Sequence, residues 1–183
     1  MPSAAESDTT ERVFFALRPD AELRARIAAL QMLDGWSGRP VPPGNLHLTL
    51  VFIGEVDGRR LETLKDLAAD RALPPCGLSL DRLGWFPRPG VGWLGCSGGA
   101  PDMFAGFQRR LASSVSAAGF DVDMRRWTPH VTLYRHLRKA PPTMRSEPLE
   151  WRVEAFELMA SRPREDGAGG VEYHTLGRWL SAR

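Results

Sequence analysis

The chain has 183 residues, 43% of them hydrophobic and 25% charged, which leaves room for one ordinary globular domain with a buried core. Its net charge is only +2, too small for a protein that wraps a nucleic-acid duplex along a basic stripe, and no apolar run approaches the length of a membrane-spanning helix. The two cysteines, Cys76 and Cys96, match neither a metal-ligand spacing nor a disulfide framework, so free thiols in reducing surroundings are expected.

Residues 1–11 are polar and lack the basic and apolar regions of a secretion signal. They predict a short disordered lead and a cytoplasmic protein, with a single domain over 12–183. Residues 12–17 (RVFFAL) read as a buried strand. Pro19-Asp20 then opens a helix with Leu23, Ile27 and Leu30 at helical spacing. Residues 35–44, rich in Gly and Pro, predict a loop. A strand follows over 46–53 and ends at Gly54, and Asp57-Gly58 leads into a helix with Leu61, Leu64, Leu67 and Ala68 on one face.

Past Pro74-Pro75, residues 77–86 and 91–95 read as a hairpin-like pair of strands around a turn at 87–90. Asp102 is expected to cap a helix whose buried stripe is Phe104, Phe107, Leu111 and Val115, with Gly119 just past its end. Pro129 introduces a strand over 130–134. Residues 149–161 predict one long strand, 165–170 a flexible polar loop, and 171–179 a last strand with a turn. Strands and helices mixed without regular βαβ alternation predict an α+β fold. No Walker motif or dinucleotide fingerprint is present.

Two of these strands open on the same tetrad pattern. His47-Leu48-Thr49-Leu50 and His130-Val131-Thr132-Leu133 stand 83 residues apart. Side chains two apart on a strand share a face, so each His lies beside its own Thr. Facing each other across a cleft, two such strands would put an imidazole on either side of a bound anion, with two hydroxyls to hold it. Histidine titrates near neutrality, so one ring can take a proton while the other gives one, as opening a phosphodiester requires. Strict alternation puts His130, Thr132 and Tyr134 on one face and Arg135 on the other. Arg135 reaches the cleft only if the strand ends or bulges near Tyr134. His136 and His174 lack this register and read as structural or surface residues. Tyr134, Trp93 and Phe15 are candidates to stack on a nucleobase. Arginine pairs at 109–110 and 125–126 and the basic stretch 135–139 read as solvated charge. No carboxylate–histidine cluster suggests a metal.

Asn45 to Leu50 and Pro129 to Leu133, followed by Arg135, resemble the two-histidine (2H) phosphoesterases. Within them the chain is most similar to the RNA 2′,3′-cyclic phosphodiesterases, historically called 2′-5′ RNA ligases. Residues 14–17, 52–56, 156–158 with Ser161, and 173–179 add to a likeness running from about residue 12 to 179. The chain departs from the family at Tyr134, where a small residue is common. The resemblance implies a bilobal α+β fold: pseudo-two-fold lobes of antiparallel sheet, helices outside, a central cleft between them. It implies hydrolysis of RNA 2′,3′-cyclic phosphate ends to 2′-phosphomonoesters without metal or cofactor, with reverse 2′-5′ ligation. His47 would be the proton donor, His130 the proton acceptor, and Thr49, Thr132 and Arg135 the phosphate ligands. The implied partner is RNA with a cyclic end or a cyclic nucleotide, with no membrane or protein partner and a monomeric state. Two other readings fit the same residues: a phosphodiesterase of small cyclic nucleotides or cyclic ADP-ribose phosphate, and an RNA-end-binding module without turnover.

Overall fold

The computed structural model describes residues 10–33, 35–140, 145–166 and 169–182. Most of the expected disordered lead and residues 167–168 of the expected polar loop therefore lie outside the described residues. Glu11, at the end of that lead, already begins the first strand.

The elements follow in the order β1 (Glu11–Leu17), α1 (Ala21–Leu30), β2 (Arg39–Pro40), a short 3-10 turn (Pro43–Asn45), β3 (Leu48–Val56), α2 (Gly58–Ala69), β4 (Cys76–Phe86), β5 (Val91–Gly95), α3 (Asp102–Ala117), β6 (His130–Arg135), β7 (Arg145–Val153), β8 (Ala155–Pro163) and β9 (Val171–Leu180). Asp20 and Asp57 cap α1 and α2 by accepting from the backbone N–H three residues on, at 2.8 Å each, which satisfies an amide that the first helical turn leaves free. The expected cap at Asp102 is displaced by one residue. Pro101 occupies the cap and Asp102 is the first helical residue, where its carboxylate still meets the positive end of the helix. Gly119 takes φ +84° past the end of α3, a conformation that a Cβ would strain.

Other expectations need correction as well. The strand expected over 46–53, ending at Gly54, is β3, which starts at Leu48, just after His47, and continues through Gly54 to Val56. The Gly/Pro loop 35–44 contains β2, which pairs with β6. The single strand expected over 149–161 is two strands, β7 and β8, interrupted at Glu154 and placed at different positions of the sheet. The last strand carries a bulge at Leu176 rather than a turn, since Gly177 pairs with Leu158 and Thr175 with Met159.

The strands form one sheet in the order β7-β4-β5-β6-β3-β1-β8-β9, with β2 beside β6. Every neighbouring pair is antiparallel. The order has a pseudo-two-fold centre between β6 and β3, giving two four-stranded halves. Among the described residues the halves meet in a single register pair, Leu48 opposite Val131. Beyond it β3 and β6 form no further pair among the described residues, and the side of this junction away from the core is the cleft expected from the sequence. Leu48 and Val131 are fully buried in one core with Leu23 and Ile27 of α1, Leu64 and Ala68 of α2, and Phe104, Phe107, Leu111 and Val115 of α3. All three helices therefore cover the same face of the sheet and leave the other face to the cleft.

This construction predicts a sharp contrast between two leucines. Leu48→Ala should lose about 2–5 kcal/mol in urea denaturation, the usual range for emptying a filled core site. Leu180→Ala, where the side chain is 67% exposed, should stay within about 0.5 kcal/mol. Equal costs at the two sites would mean that the central pair does not hold the halves together.

Candidate active site

Residues flanking the Leu48–Val131 pair point away from the core, because successive side chains on a strand alternate faces. His47 and Thr49 on one strand and His130 and Thr132 on the other thus share the cleft face. All four are half-buried.

Each imidazole is anchored in the same way. His47 Nδ1 donates to the carbonyl of Asn45 at 2.7 Å, and His130 Nδ1 to the carbonyl of Thr128 at 2.7 Å. A carbonyl can only accept, so the proton of each neutral ring sits on Nδ1 and the lone pair on Nε2. The Thr49 hydroxyl donates to His47 Nε2 at 3.1 Å. Aromatic rings wall both imidazoles. Phe14 and Tyr173 each stand 4.9 Å from His47, while Phe86 stands 5.1 Å and Trp93 6.3 Å from His130, centroid to centroid.

These walls set the charge state. Burial pushes His47 down from 6.5 to about 4, and the positive charges of Arg135, His130 and Arg18 act in the same direction against the Asn45 hydrogen bond. His130 is also lowered, by burial and by Arg135, against its bond to Thr128. Both rings are therefore neutral at pH 7.

The Arg135 charge acts on both histidines, and the side chain stands on their face, where strict alternation from His130 would not put it. The reason is a bulge. Trp93 pairs with Thr132 and Gly92 with Tyr134, so Leu133 is an extra residue on β6. Leu133 and Tyr134 are both buried, and Arg135 returns to the cleft face. β3 carries the same device. Ala16 pairs with Thr49 and Phe15 with Val51, which makes Leu50 the extra residue. A buried glutamine holds each bulge: Gln31 Nε2 donates to the Leu133 carbonyl at 2.8 Å, and Gln108 Nε2 to the Leu50 carbonyl at 2.9 Å.

The same bulge removes Tyr134 from the stacking candidates. Its ring stacks on Trp36 at 4.9 Å and its hydroxyl donates to the Gln31 carbonyl at 2.5 Å. Phe15 is fully buried in the core. Trp93 does lie on the cleft face, but packed beside His130. His136 is exposed at φ 61°, and His174 Nε2 lies 3.1 Å from a Glu172 carboxylate oxygen. Sequence reasoning missed Phe14, Tyr173 and Phe86 as walls and Gln31 and Gln108 as clamps. The one available signal was residues 12–17, apolar on both strand faces, as a strand covered on both sides would be. Cys76 and Cys96 are free, half-buried thiols raised to about 11, by burial in both and additionally by neighbouring carboxylates at Cys96. Among the described residues no three His, Cys, Asp or Glu side chains gather as a metal site requires. None of the described helices is long and apolar enough to cross a membrane.

Known proteins of one family resemble this chain over most of its length. The profile of the 2′-5′ RNA ligase superfamily matches residues 14–165. An RNA 2′,3′-cyclic phosphodiesterase of Escherichia coli is 34% identical over 173 residues, 92% of this chain and 96% of that protein. Its namesake from Archaeoglobus fulgidus is 33% identical over 138 residues, 71% and 75% of the two chains. The crystal structure of E. coli LigT complexed with 3′-AMP superposes with a TM-score of 0.86 at 31% identity, covering 96% of this chain and 100% of that one.

The electrostatics can be read directly by NMR. The His47 ring should titrate at about 4 and His130 below 6.5. Arg135→Gln should raise both, because it removes a charge that opposes protonation. Gln31→Leu, by removing one of the two donors on the Leu133 carbonyl and leaving only the Val41 N–H, should move them the same way by less. From pH 6.5 down to 4 the unfolded chain binds a proton that folded His47 refuses, so stability should fall as acid is added across that window. An ordinary His47 titration near 6.5, untouched by either substitution, would overturn this description.

Proposed function

The chain belongs to the 2′-5′ RNA ligase superfamily, and from that premise we propose that its cleft opens RNA 2′,3′-cyclic phosphate ends to 2′-phosphomonoesters by two-histidine acid–base catalysis. The observation that carries this reading is the pair of H-x-T motifs set on one face by a single register pair, with both Nδ1 atoms anchored.

Water attacks phosphorus from the His130 side, and His130 Nε2 takes its proton. The bond from phosphorus to O3′ breaks on the far side, and O3′ receives a proton from His47 Nε2. The 2′-phosphate remains on the ribose, and proton exchange with solvent resets the rings. With an RNA 5′-hydroxyl in place of water, the same displacement forms a 2′-5′ linkage. Thr49, Thr132 and Arg135 donate to the non-bridging oxygens, where charge builds during attack.

The acid role of His47 makes a demand on the substrate. The ring is neutral at pH 7 on its own, so a group that binds beside it must charge it. A phosphodiester anion supplies that, since it offsets the Arg135 charge and adds its own attraction for a proton. His130 needs no such help, because a base must start neutral. The Thr49 hydroxyl, which donates to His47 Nε2 when that ring is neutral, turns to the phosphate when Nε2 carries a proton.

The reaction itself is tested by incubating the protein with a 2′,3′-cyclic mononucleotide and with a cyclic-ended oligonucleotide in excess chelator. The expected product in both is the 2′-phosphate. A 3′-phosphate, or activity that returns only with added divalent ion, would contradict the mechanism. The roles are tested by leaving-group acidity. His47→Ala and His130→Ala should each abolish most turnover, with the double variant little worse, because the two act as a unit. A substrate with a far more acidic leaving oxygen should rescue His47→Ala much more than His130→Ala. Rescue confined to His130→Ala would exchange the two assignments.

A further inference from the structure

A second feature lies where β5 ends and β6 begins. A cavity of about 680 Å³ is walled by the 96–100 loop, by Gln108 and Arg109 of α3, by the 123–129 loop, and by Arg82. That volume falls within the range of small-molecule and nucleotide pockets. None of the two histidines, two threonines and Arg135 of the cleft lines it. Its wall nevertheless ends at Thr128 and Pro129, the residues that lead into His130, and Thr128 supplies the carbonyl anchoring that ring.

Arg82 joins the two spaces. It pairs with Gly95, which in turn pairs with His130, so all three lie on the cleft face. Its guanidinium stands 5.9 Å from the centroid of Trp93, the ring beside His130. A chain leaving the cleft on the His130 side therefore passes Trp93, then Arg82, and enters the cavity.

The lining itself is mainly basic, while the Asp81 carboxylate behind it is held by the Ser97 amide and hydroxyl. Asp123 is the only acidic residue of the lining, and Arg125 already pairs with it at 2.6 Å. Arg82, Arg109 and Arg126 are exposed and have no carboxylate partner among the described residues. Three guanidiniums outside any ion pair among the described residues, in one cavity of a chain with net charge +2, are a concentration, not an average. Guanidinium forks match phosphate oxygens in geometry as well as charge.

We infer that this cavity is a binding subsite for the backbone phosphates of single-stranded RNA, continuous with the His130 side of the cleft. The inference rests on the RNA reading above. The phosphates have two sources: upstream nucleotides of the strand bearing the cyclic end, or a second strand whose 5′-hydroxyl replaces the attacking water. The chemistry of the cavity is the same for both.

The test uses Arg109→Gln/Arg126→Gln, with Arg26→Gln/Arg59→Gln as a control that removes equal charge from exposed positions on α1 and α2. Binding of a labelled single-stranded RNA decamer is measured against salt concentration. Each lost phosphate contact should flatten the slope of log K against log salt by about 0.7, so the cavity variant should lose about 1.4 and the control nothing. In turnover, the cavity variant should keep cyclic mononucleotide hydrolysis within about twofold. It should lose about tenfold or more in kcat/KM on a cyclic-ended decamer if the upstream strand occupies the cavity, or only in 2′-5′ joining if the second strand does. Equal slopes for the two variants, or equal loss on mononucleotide and decamer, would overturn the inference. A wild-type protein inactive on every cyclic substrate would overturn the proposed reaction instead, while the salt slopes would still decide the cavity.

Discussion

Leu48 and Val131 touch across the centre of the sheet, and the site depends on their register. Both are fully buried and belong to the core beneath the three helices. Because strand side chains alternate, burying these two obliges His47, Thr49, His130 and Thr132 to face the other way. A slip of one residue on either strand would put a histidine and a threonine into the core and a valine or leucine into the cleft. The burial of two aliphatic side chains thus specifies a polar site that neither of them contacts through its chemistry.

The walls around the histidines set the charge state of both rings. An imidazole packed between aromatic rings has lost water that would stabilise its charged form. A carbonyl holding Nδ1 fixes the ring plane and leaves Nε2 to the cleft. The protein repeats this arrangement with different residues, Phe14 and Tyr173 on one side, Phe86 and Trp93 on the other. Gly84 shows how closely the second wall is built. A Cβ there would lie 2.2 Å from the Trp93 ring, so the indole rests directly on the backbone of β4.

The tetrads at 47–50 and 130–133 were legible because they are local, as were the helices that start after Asp20 and Asp57, where capping is a matter of three residues. The partition of residues 145–163 into β7 and β8 was not, because an apolar run shows burial without showing where its strands pair. Nor was β2, whose two residues exist as a strand only through pairing with β6. Tyr134 marks the physical limit most clearly. Period-two counting sends it into the cleft beside His130, and it holds until a bulge resets the phase. The bulge is stabilised by Gln31, 102 residues away, and no local window contains that partner.

The two bulges also explain how a duplicated architecture yields a site with unlike ends. Each follows its threonine by one residue, at Leu50 and at Leu133, and each has a buried glutamine amide on its carbonyl. The chain then returns to the cleft face two residues later, at Phe52 on β3 and at Arg135 on β6. Phe52 pairs with Phe14, the ring that walls His47, so its side is not in doubt. It is 47% exposed, with the Arg12 guanidinium 5.2 Å from its centroid. Equivalent backbone thus delivers a cation at one end of the cleft and an aromatic face at the other. The strands run antiparallel, so Arg135 lies toward the start of β3, near His47, while Phe52 lies toward the loop that precedes His130. Under the proposed reaction, a cyclic phosphate with a leaving ribose oxygen on one side and an attacking oxygen on the other would meet unlike surroundings in a frame that would otherwise be symmetric. The repeated fold supplies two similarly anchored histidines, and the residue after each bulge distinguishes one end of the cleft from the other.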